Sequence, residues 1–276
     1  MDATIIKNSV IDGYGKIAKR NTKGVFSKLF ACCDTDKMVE DVSHKIGYSS
    51  EDLKSVPEGA NLGIGCGNPL ALSKIKMGDT VLDLGSGAGF DCFLASPLVG
   101  EKGKVIGIDI TQEMVSRASK NAQKGNYSNV EFVKGDIEKL PIQDNSVDII
   151  ISNCVLNLST NKSQVFQEAF RVLKPNGELT ISDIVLLEDL PDFIKNSVEG
   201  YVACIAGAEK VENYFKYAEN AGFSNFKVET KTTFPLELLM TDPIAQKIVT
   251  DYNLSEEQVS NIANSITSVT LSATKR

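Results

Sequence analysis

Thr80-Val81-Leu82-Asp83-Leu84-Gly85-Ser86-Gly87-Ala88-Gly89 decides how this chain folds. A short apolar run that ends in alternating glycines reads as a buried strand turning sharply into a helix, which continues to about Leu98. Glycines at such a strand end let the backbone turn tightly and approach a ligand closely.

The same alternation repeats outward. Residues 104–109 form a second buried run, and 111–124 read as the helix that follows it. Further runs fall at 130–133, 147–152 and 178–183, and a helix at 163–174 is stopped by Lys174-Pro175-Asn176-Gly177. Continuous apolar strands alternating with helices predict an α/β fold with a mainly parallel sheet covered on both faces. Beyond it, 190–220 look helical, 225–230 read as a strand, and 243–264 carry two helical patterns with a start at Ser255-Glu256-Glu257. Residues 268–274 alternate apolar and polar and are expected as a final antiparallel strand beside strand five. Upstream, 1–60 are polar with short helical patterns, and Gly63-Ile64-Gly65-Cys66-Gly67-Asn68-Pro69 is a glycine-rich loop. The expected division is an N-terminal helical segment with the Cys66 loop (1–70), an α/β core (71–185), and a helical segment with C-terminal strands (186–276).

Composition narrows the chemistry. The 276 residues carry 29 Lys+Arg against 36 Asp+Glu, a net charge of −7, which disfavours nucleic acid as a partner. No apolar run approaches the roughly 18–20 residues that span a bilayer, and the N-terminus lacks the apolar stretch of a signal peptide. The expectation is a cytoplasmic protein with no membrane contact. The one histidine, His44, excludes two-histidine zinc sites, and any Ser-His-Asp triad would have to use it. Flanked by Asp41-Val42-Ser43 and Lys45, it reads as a surface residue. The six cysteines, Cys32, Cys33, Cys66, Cys92, Cys154 and Cys204, are not expected to form a disulfide framework in a reducing compartment, which raises the weight of metal, redox or catalytic uses.

The glycine loop carries a cofactor reading. Asp109 lies 20 residues after Gly89 at the end of the second strand, where a carboxylate accepts hydrogen bonds from both ribose hydroxyls. Nicotinamide cofactors use the same logic, but here the spacing is G-x-G-x-G rather than G-x-G-x-x-G. The acid Asp83 suits a cationic ligand and not a pyrophosphate. Both features point to S-adenosylmethionine. Gly135-Asp136-Ile137 offers a carboxylate and an apolar side chain for an adenine, and Asn153 and Cys154 emerge at the carboxyl end of strand four. The candidate cofactor residues are Asp83, Gly85, Ser86, Gly87, Gly89, Asp109, Ile110, Met114, Gly135, Asp136, Ile137 and Asn153.

With these features, the segments Tyr48-Ser49-Ser50-Glu51-Asp52-Leu53, Val56 to Pro69, Ser152-Asn153-Cys154-Val155-Leu156-Asn157-Leu158 and Ala203-Cys204-Ile205-Ala206-Gly207-Ala208 resemble class I S-adenosylmethionine-dependent methyltransferases, and among them the arsenite methyltransferases. The similarity runs from about Gly13 to about Gly222 and is loose over the last fifty residues. It implies a Rossmann-like, seven-stranded fold and methylation of trivalent arsenic held by cysteine thiolates, a detoxification. It implies that Tyr14, with Gly15, lies in the segment that folds over the cofactor. It also implies that Cys32 or Cys33 joins a redox cycle with the Cys66 loop, with electrons from thioredoxin, glutathione or a similar thiol. Vicinal cysteines are too strained for an easy mutual disulfide, so a partner elsewhere is expected.

Cys66, Cys154 and Cys204 are separated by 88 and 50 residues, which is not zinc-finger spacing. Three loop or strand-end thiols can converge as a trigonal cluster, and soft thiolates suit a thiophilic centre such as trivalent arsenic. Neutral arsenous acid needs no basic pocket. Cys66, among glycines, is expected to be the mobile thiol and Cys154 the fixed one. Cys92, beside Phe93 and Leu94, reads as core. Two competing readings are a methyltransferase for a quinone, sterol or other small acceptor, with the cysteines as core residues, and a thiol-based metalloid-binding protein with a vestigial fold. Intact Asp83, Asp109 and Asp136 argue against the second.

Overall fold

Val81, Leu82 and Leu84 are fully buried, and alternate residues of their strand feed two different cores. In a computed structural model that describes residues 2–19, 35–233 and 243–276, that strand lies third in the order of a seven-stranded sheet. The strands are β1 (Thr80–Leu84), β2 (Lys104–Asp109), β3 (Val130–Lys134), β4 (Val147–Asn153), β5 (Leu173–Leu186), β6 (Phe223–Thr233) and β7 (Ile266–Lys275). Their order is β3-β2-β1-β4-β5-β7-β6. The first five run parallel, and β7 is inserted antiparallel between β5 and β6, as its alternating sequence predicts. The order reverses between β1 and β4, which opens a crevice at the carboxyl ends of the strands.

The described helices are α1 (Ala3–Lys19), α2 (Thr35–Lys45), α3 (Ser50–Ser55), α4 (Phe90–Val99), α5 (Gln112–Lys124), α6 (Lys162–Val172), α7 (Asp192–Lys195), α8 (Val198–Val202), α9 (Val211–Ala221), α10 (Pro243–Asp251) and α11 (Glu256–Asn264). On one face of the sheet, Leu82, Ile108, Ile150 and Leu179 pack against Phe166 of α6 and Tyr214 of α9. On the other, Val81, Val105, Ile149 and Ile151 pack against Phe93 of α4 and Ala122 of α5. A third cluster at the carboxyl ends gathers Cys66, Cys154, Cys204, Ile184, Ile194 and Ile266. Ser255 caps α11 through a reciprocal capping box with Gln258, where the helix start was read.

Several elements exceed their sequence-based bounds, among them β5, β6 and β7. β5 begins at Leu173 rather than 178, because the expected helix stop is a bulge: Leu173 pairs with Val147, and the ladder resumes at Glu178 with Ile149. Its turn uses Asn176 at φ 66, a left-handed conformation that asparagine tolerates. The short helical patterns near the N-terminus become one 17-residue helix, α1. Its stripe of Ile6, Val10 and Tyr14, spaced by one turn, packs on Val202 and Leu158. None of the described helices is long and apolar enough to cross a membrane.

Candidate active site

β1 delivers the chain into the glycine loop at the crevice. Gly85 has φ 71, and a Cβ there would strike Val155, so both the conformation and the space exclude a side chain. The Gly85 and Ser86 N–H groups donate to the Ile108 carbonyl at 2.7 and 2.9 Å. Asp109 braces the same loop, its Oδ2 accepting from Gly87 N–H at 3.0 Å and its Oδ1 from Thr111 N–H at 2.8 Å. Burial raises the Asp109 carboxyl above its ordinary range, against those backbone bonds.

A cavity opens over this loop. Tyr14, Asp83, Gly85, Ser86, Gly87, Asp109, Ile110, Asp136, Ile137 and Asn153 of the expected cofactor set all line it. Gly89, Gly135 and Met114 do not. Gly89 is the left-handed start of α4, tight against Phe93 and Phe132; Gly135 is closed in by Pro141 and Ile108; and Met114 is fully buried in α5. They shape the elements around the cavity without reaching it. Asp136 is held in a way the sequence did not announce: Lys7 of α1 reaches its Oδ2 at 2.8 Å and pairs with Glu138 as well. Ser86 Oγ is buried with no partner.

The floor of the cavity is acidic and buried. Burial, then the charge of Asp91, holds the Asp83 carboxyl well above the usual range. Cys92 is core as expected, but it also touches the site, its Sγ donating to Asp83 Oδ2 at 3.3 Å. Asp91 lines the cavity and was missed by sequence reasoning; the available signal was a lone acid in the first turn of an otherwise apolar helix. Burial pushes it up to about 6, although the Tyr48 hydroxyl donates to it at 2.6 Å and Asn153 Nδ2 lies at 3.2 Å. Among the described residues no Lys or Arg pairs with Asp83 or Asp91. Two buried acids without a cation favour a cationic ligand and would repel a pyrophosphate.

The thiols meet beside this floor. Cys154 follows the end of β4, its N–H donating to the Ser182 carbonyl at 2.8 Å. Cys204 follows α8, and its Sγ donates to the Cys154 carbonyl at 3.2 Å. Asn157 Nδ2 stitches that segment down by donating to Ile184 O at 2.7 Å and Cys204 O at 3.1 Å. Gly207 permits the approach, since a Cβ would strike the Asn157 carbonyl. Cys154 and Cys204 have φ of 59 and 60, and the other positive-φ residues among those described are glycines and asparagines. A left-handed conformation costs a side-chain-bearing residue about 1–2 kcal/mol, so local strain is concentrated where the thiols converge.

Cys66 joins them from its loop but is not loose. Its N–H donates to Asn153 Oδ1 at 3.0 Å, its Sγ to Ser182 O at 3.5 Å, and its carbonyl accepts from the Ser268 hydroxyl. The expected mobile thiol is thus tied at three points, because the loop packs onto β5 and β7. Cys66, Cys154 and Cys204 are only 3%, 6% and 4% exposed, with Cys154 in hydrogen-bond contact with both others. Burial pushes the Cys66 thiol up. The hydrogen bond to Cys154, then burial, holds Cys204 well above its ordinary range. For Cys154 the contact with Cys204 pulls down, and the contact with Cys66 and burial outweigh it. Asp183, at the carboxyl end of β5, was also missed by sequence reasoning. Burial pushes it up to about 7, and one of its oxygens lies within 4.8 Å of both Cys66 Sγ and Cys154 Sγ. Its position beside Ser182 at a strand end was the signal.

Two residues join floor and thiols. Asn153 accepts from Cys66 N–H while its Nδ2 lies within reach of Gly67 O, Tyr48 Oη and Asp91 Oδ2 at 2.8, 3.0 and 3.2 Å. Tyr14 Oη sits 3.4 Å from Cys204 Sγ. Cys32 and Cys33 lie outside the described residues. His44 is exposed, its Nδ1 2.9 Å from the Tyr48 carbonyl.

Residues 75–258 match the model of a methyltransferase domain. An arsenite methyltransferase of Halobacterium salinarum is 46% identical over 200 residues, covering 72% of this chain and 51% of that protein. The human arsenite methyltransferase is 38% identical over 228 residues, 79% of this chain and 58% of that protein. The chain therefore spans between half and two thirds of the length of these relatives. The crystal structure of an arsenic(III) S-adenosylmethionine methyltransferase from Chlamydomonas reinhardtii superimposes with a TM-score of 0.60 at 29% identity, over 84% of this chain and 72% of that one.

Proposed function

The chain belongs to the methyltransferase-domain family, and from that premise we propose that it transfers methyl groups from S-adenosylmethionine to trivalent arsenic bound by Cys66, Cys154 and Cys204. The observation that carries this is the convergence of three buried thiols beside a cavity floored by two buried acids that pair with no Lys or Arg among the described residues. The acids fit the cosubstrate: Asp83 and Asp91 suit its ammonium and sulfonium charges, Asp109 its ribose hydroxyls, and Asp136 with Ile137 its adenine. Tyr14 would close over it from α1.

S-adenosylmethionine supplies an electrophilic methyl group. Arsenous acid exchanges its three hydroxyls for three thiols, and each thiol proton leaves with a hydroxide as water. The raised thiol pKa values are therefore no obstacle to capture. Arsenic retains its lone pair, which forms the new As–C bond as the methyl–sulfonium bond breaks. The arsenic needs no base, so the chain contributes alignment, where effective molarity can supply about 7–11 kcal/mol of the barrier. Methylation oxidises arsenic by two electrons. Two thiols return them by forming a disulfide, with Cys32 or Cys33 the partner for Cys66, and thioredoxin or glutathione restores the thiols. We place the enzyme in the cytoplasm, where such thiols stay reduced. The reading rests also on the relatives named arsenite methyltransferase.

The test is incubation of the full chain with methyl-labelled S-adenosylmethionine, arsenite and a thiol reductant. Labelled methylarsenicals are expected. Label appearing only on a quinone or sterol acceptor would establish the competing reading instead.

A further inference from the structure

We propose that Cys66, Cys154 and Asp183 form a binding site for a thiophilic divalent cation of the zinc class, which competes with the arsenical for two of its thiols. This goes beyond the arsenic reading and shares its thiols. Among the described residues this trio has its ligand atoms within 4.8 Å of one another, all three side chains buried. Around a tetrahedral zinc ion, Zn–S of about 2.3 Å and Zn–O of about 2.0–2.2 Å place ligand atoms roughly 3.5–3.8 Å apart, so modest side-chain rotation closes the set.

Asp183 is what separates the two occupants. Trivalent arsenic makes three bonds and keeps a lone pair, so three soft thiolates complete it and a carboxylate adds nothing. A d10 divalent cation takes four donors and accepts a carboxylate readily. Two thiolates, Asp183 and a water satisfy it, without Cys204.

The surroundings suit a ligating carboxylate. The Ile184 N–H donates to Asp183 Oδ1 at 2.9 Å and the Tyr214 hydroxyl to Oδ2 at 3.3 Å, and a backbone hydrogen bond from Asn157 adds to them, which fixes the carboxyl's orientation. The Lys162 ammonium, buried beside Glu209 at 3.5 Å, feels the charges of Asp183 and Cys204 and offsets part of the anionic charge. Ile184, Ile194 and Ile266 enclose the cluster, and Cys154 lines the cavity and gives a route in. On binding, two metal–sulfur bonds and one metal–oxygen bond form, both thiol protons and any proton on the Asp183 carboxyl leave to solvent, and the cation sheds water; nothing is oxidised or reduced.

The experiment is anaerobic titration of the reduced full chain with cobalt(II). A thiolate-to-cobalt charge-transfer band with tetrahedral d–d absorption is expected, bleached by zinc, and zinc should raise the apparent KM for arsenite. Asp183→Asn should weaken cobalt binding at least tenfold, and Cys154→Ser should remove the band. Cys66→Ser supplies the ligand variant should Asp183→Asn fail to fold. The Cys32/Cys33 double serine variant should keep the band. Cys204→Ser should also keep it while losing arsenite methylation, which separates failure of this proposal from failure of the arsenic reading. Absence of the band in the wild type, a band indifferent to both Asp183→Asn and Cys66→Ser, or zinc inhibition that arsenite does not relieve would overturn the proposal.

Discussion

The cofactor side of the cavity and the thiol side are built by opposite routes. The first is local: β1, the glycine loop, β2 and Asp109 follow one another within thirty residues, and each part is held by the next through backbone bonds to Ile108 and Asp109. The second is assembled from afar. Its thiols come from a loop before the sheet, from the end of β4, and from a turn after α8, and two of them sit in strained left-handed conformations. A local site tolerates change elsewhere in the chain, whereas an assembled one depends on every segment arriving.

The sharpest break of that contrast is Cys204→Ser. A hydroxyl is nearly the same size but harder and stays protonated, so it does not replace a thiolate toward arsenic. Arsenite methylation should fall by more than a thousandfold, with S-adenosylmethionine affinity by calorimetry unchanged within about twofold. Loss of both would mean that the two sides are one unit. Next is Asp91→Asn. Asp91 titrates at about 6 in the fold against the usual 3.8, so the folded chain holds the extra proton between those values. Its contribution is fully present below pH 4 and is lost as pH rises toward 6, by about 3 kcal/mol. Urea unfolding of wild type and variant at pH 4 and 6.5 should show the wild type losing about 2 kcal/mol more, the part of that contribution which falls between those two pH values. Equal losses would remove Asp91 as a strained element of the floor.

The same contrast explains what could be read in advance. Strand 80–84 and its glycine loop announce themselves through composition and spacing, and Asp109 falls at a fixed interval along the same βα units. Even β7 was legible, because its alternation is local. Asp91 and Asp183 were not, since only the folded chain buries them and brings Asp91 beside Asp83 and Asp183 beside two thiols. The tether of Cys66 was equally hidden: Asn153 and Ser268 lie 87 and 202 residues away. Gly89, Gly135 and Met114 share the motif's neighbourhood without its cavity, because sequence adjacency does not say which residues the packing closes in.

Asp109→Ala sharpens the local half. It removes an ionised acceptor proposed for the ribose and also the brace on Gly87 N–H. Hydrogen bonds to charged groups contribute about 1.5–3 kcal/mol, so affinity for S-adenosylmethionine should fall roughly ten- to a hundredfold. Cobalt or arsenite binding to the thiols should stay within about twofold, and a larger change would mean that the loop also positions the cysteines.

The smallest effect tests the element that touches both halves. α1 carries Lys7, which pairs with Asp136 on the cofactor side, and Tyr14, whose hydroxyl reaches Cys204 Sγ at 3.4 Å and Val202 O at 3.3 Å. The two residues are seven positions apart, about 10 Å along one rigid helix. Tyr14→Phe keeps the ring packed among Ile6, Val10 and Leu158 and removes only the hydroxyl. A single neutral hydrogen bond is worth about 0.5–1.5 kcal/mol, so kcat/KM for arsenite should drop roughly two- to tenfold. The KM for S-adenosylmethionine should hardly move, because Lys7 still anchors the helix to Asp136. If the hydroxyl serves the cosubstrate instead, the two parameters exchange places, and α1 belongs to the local half alone.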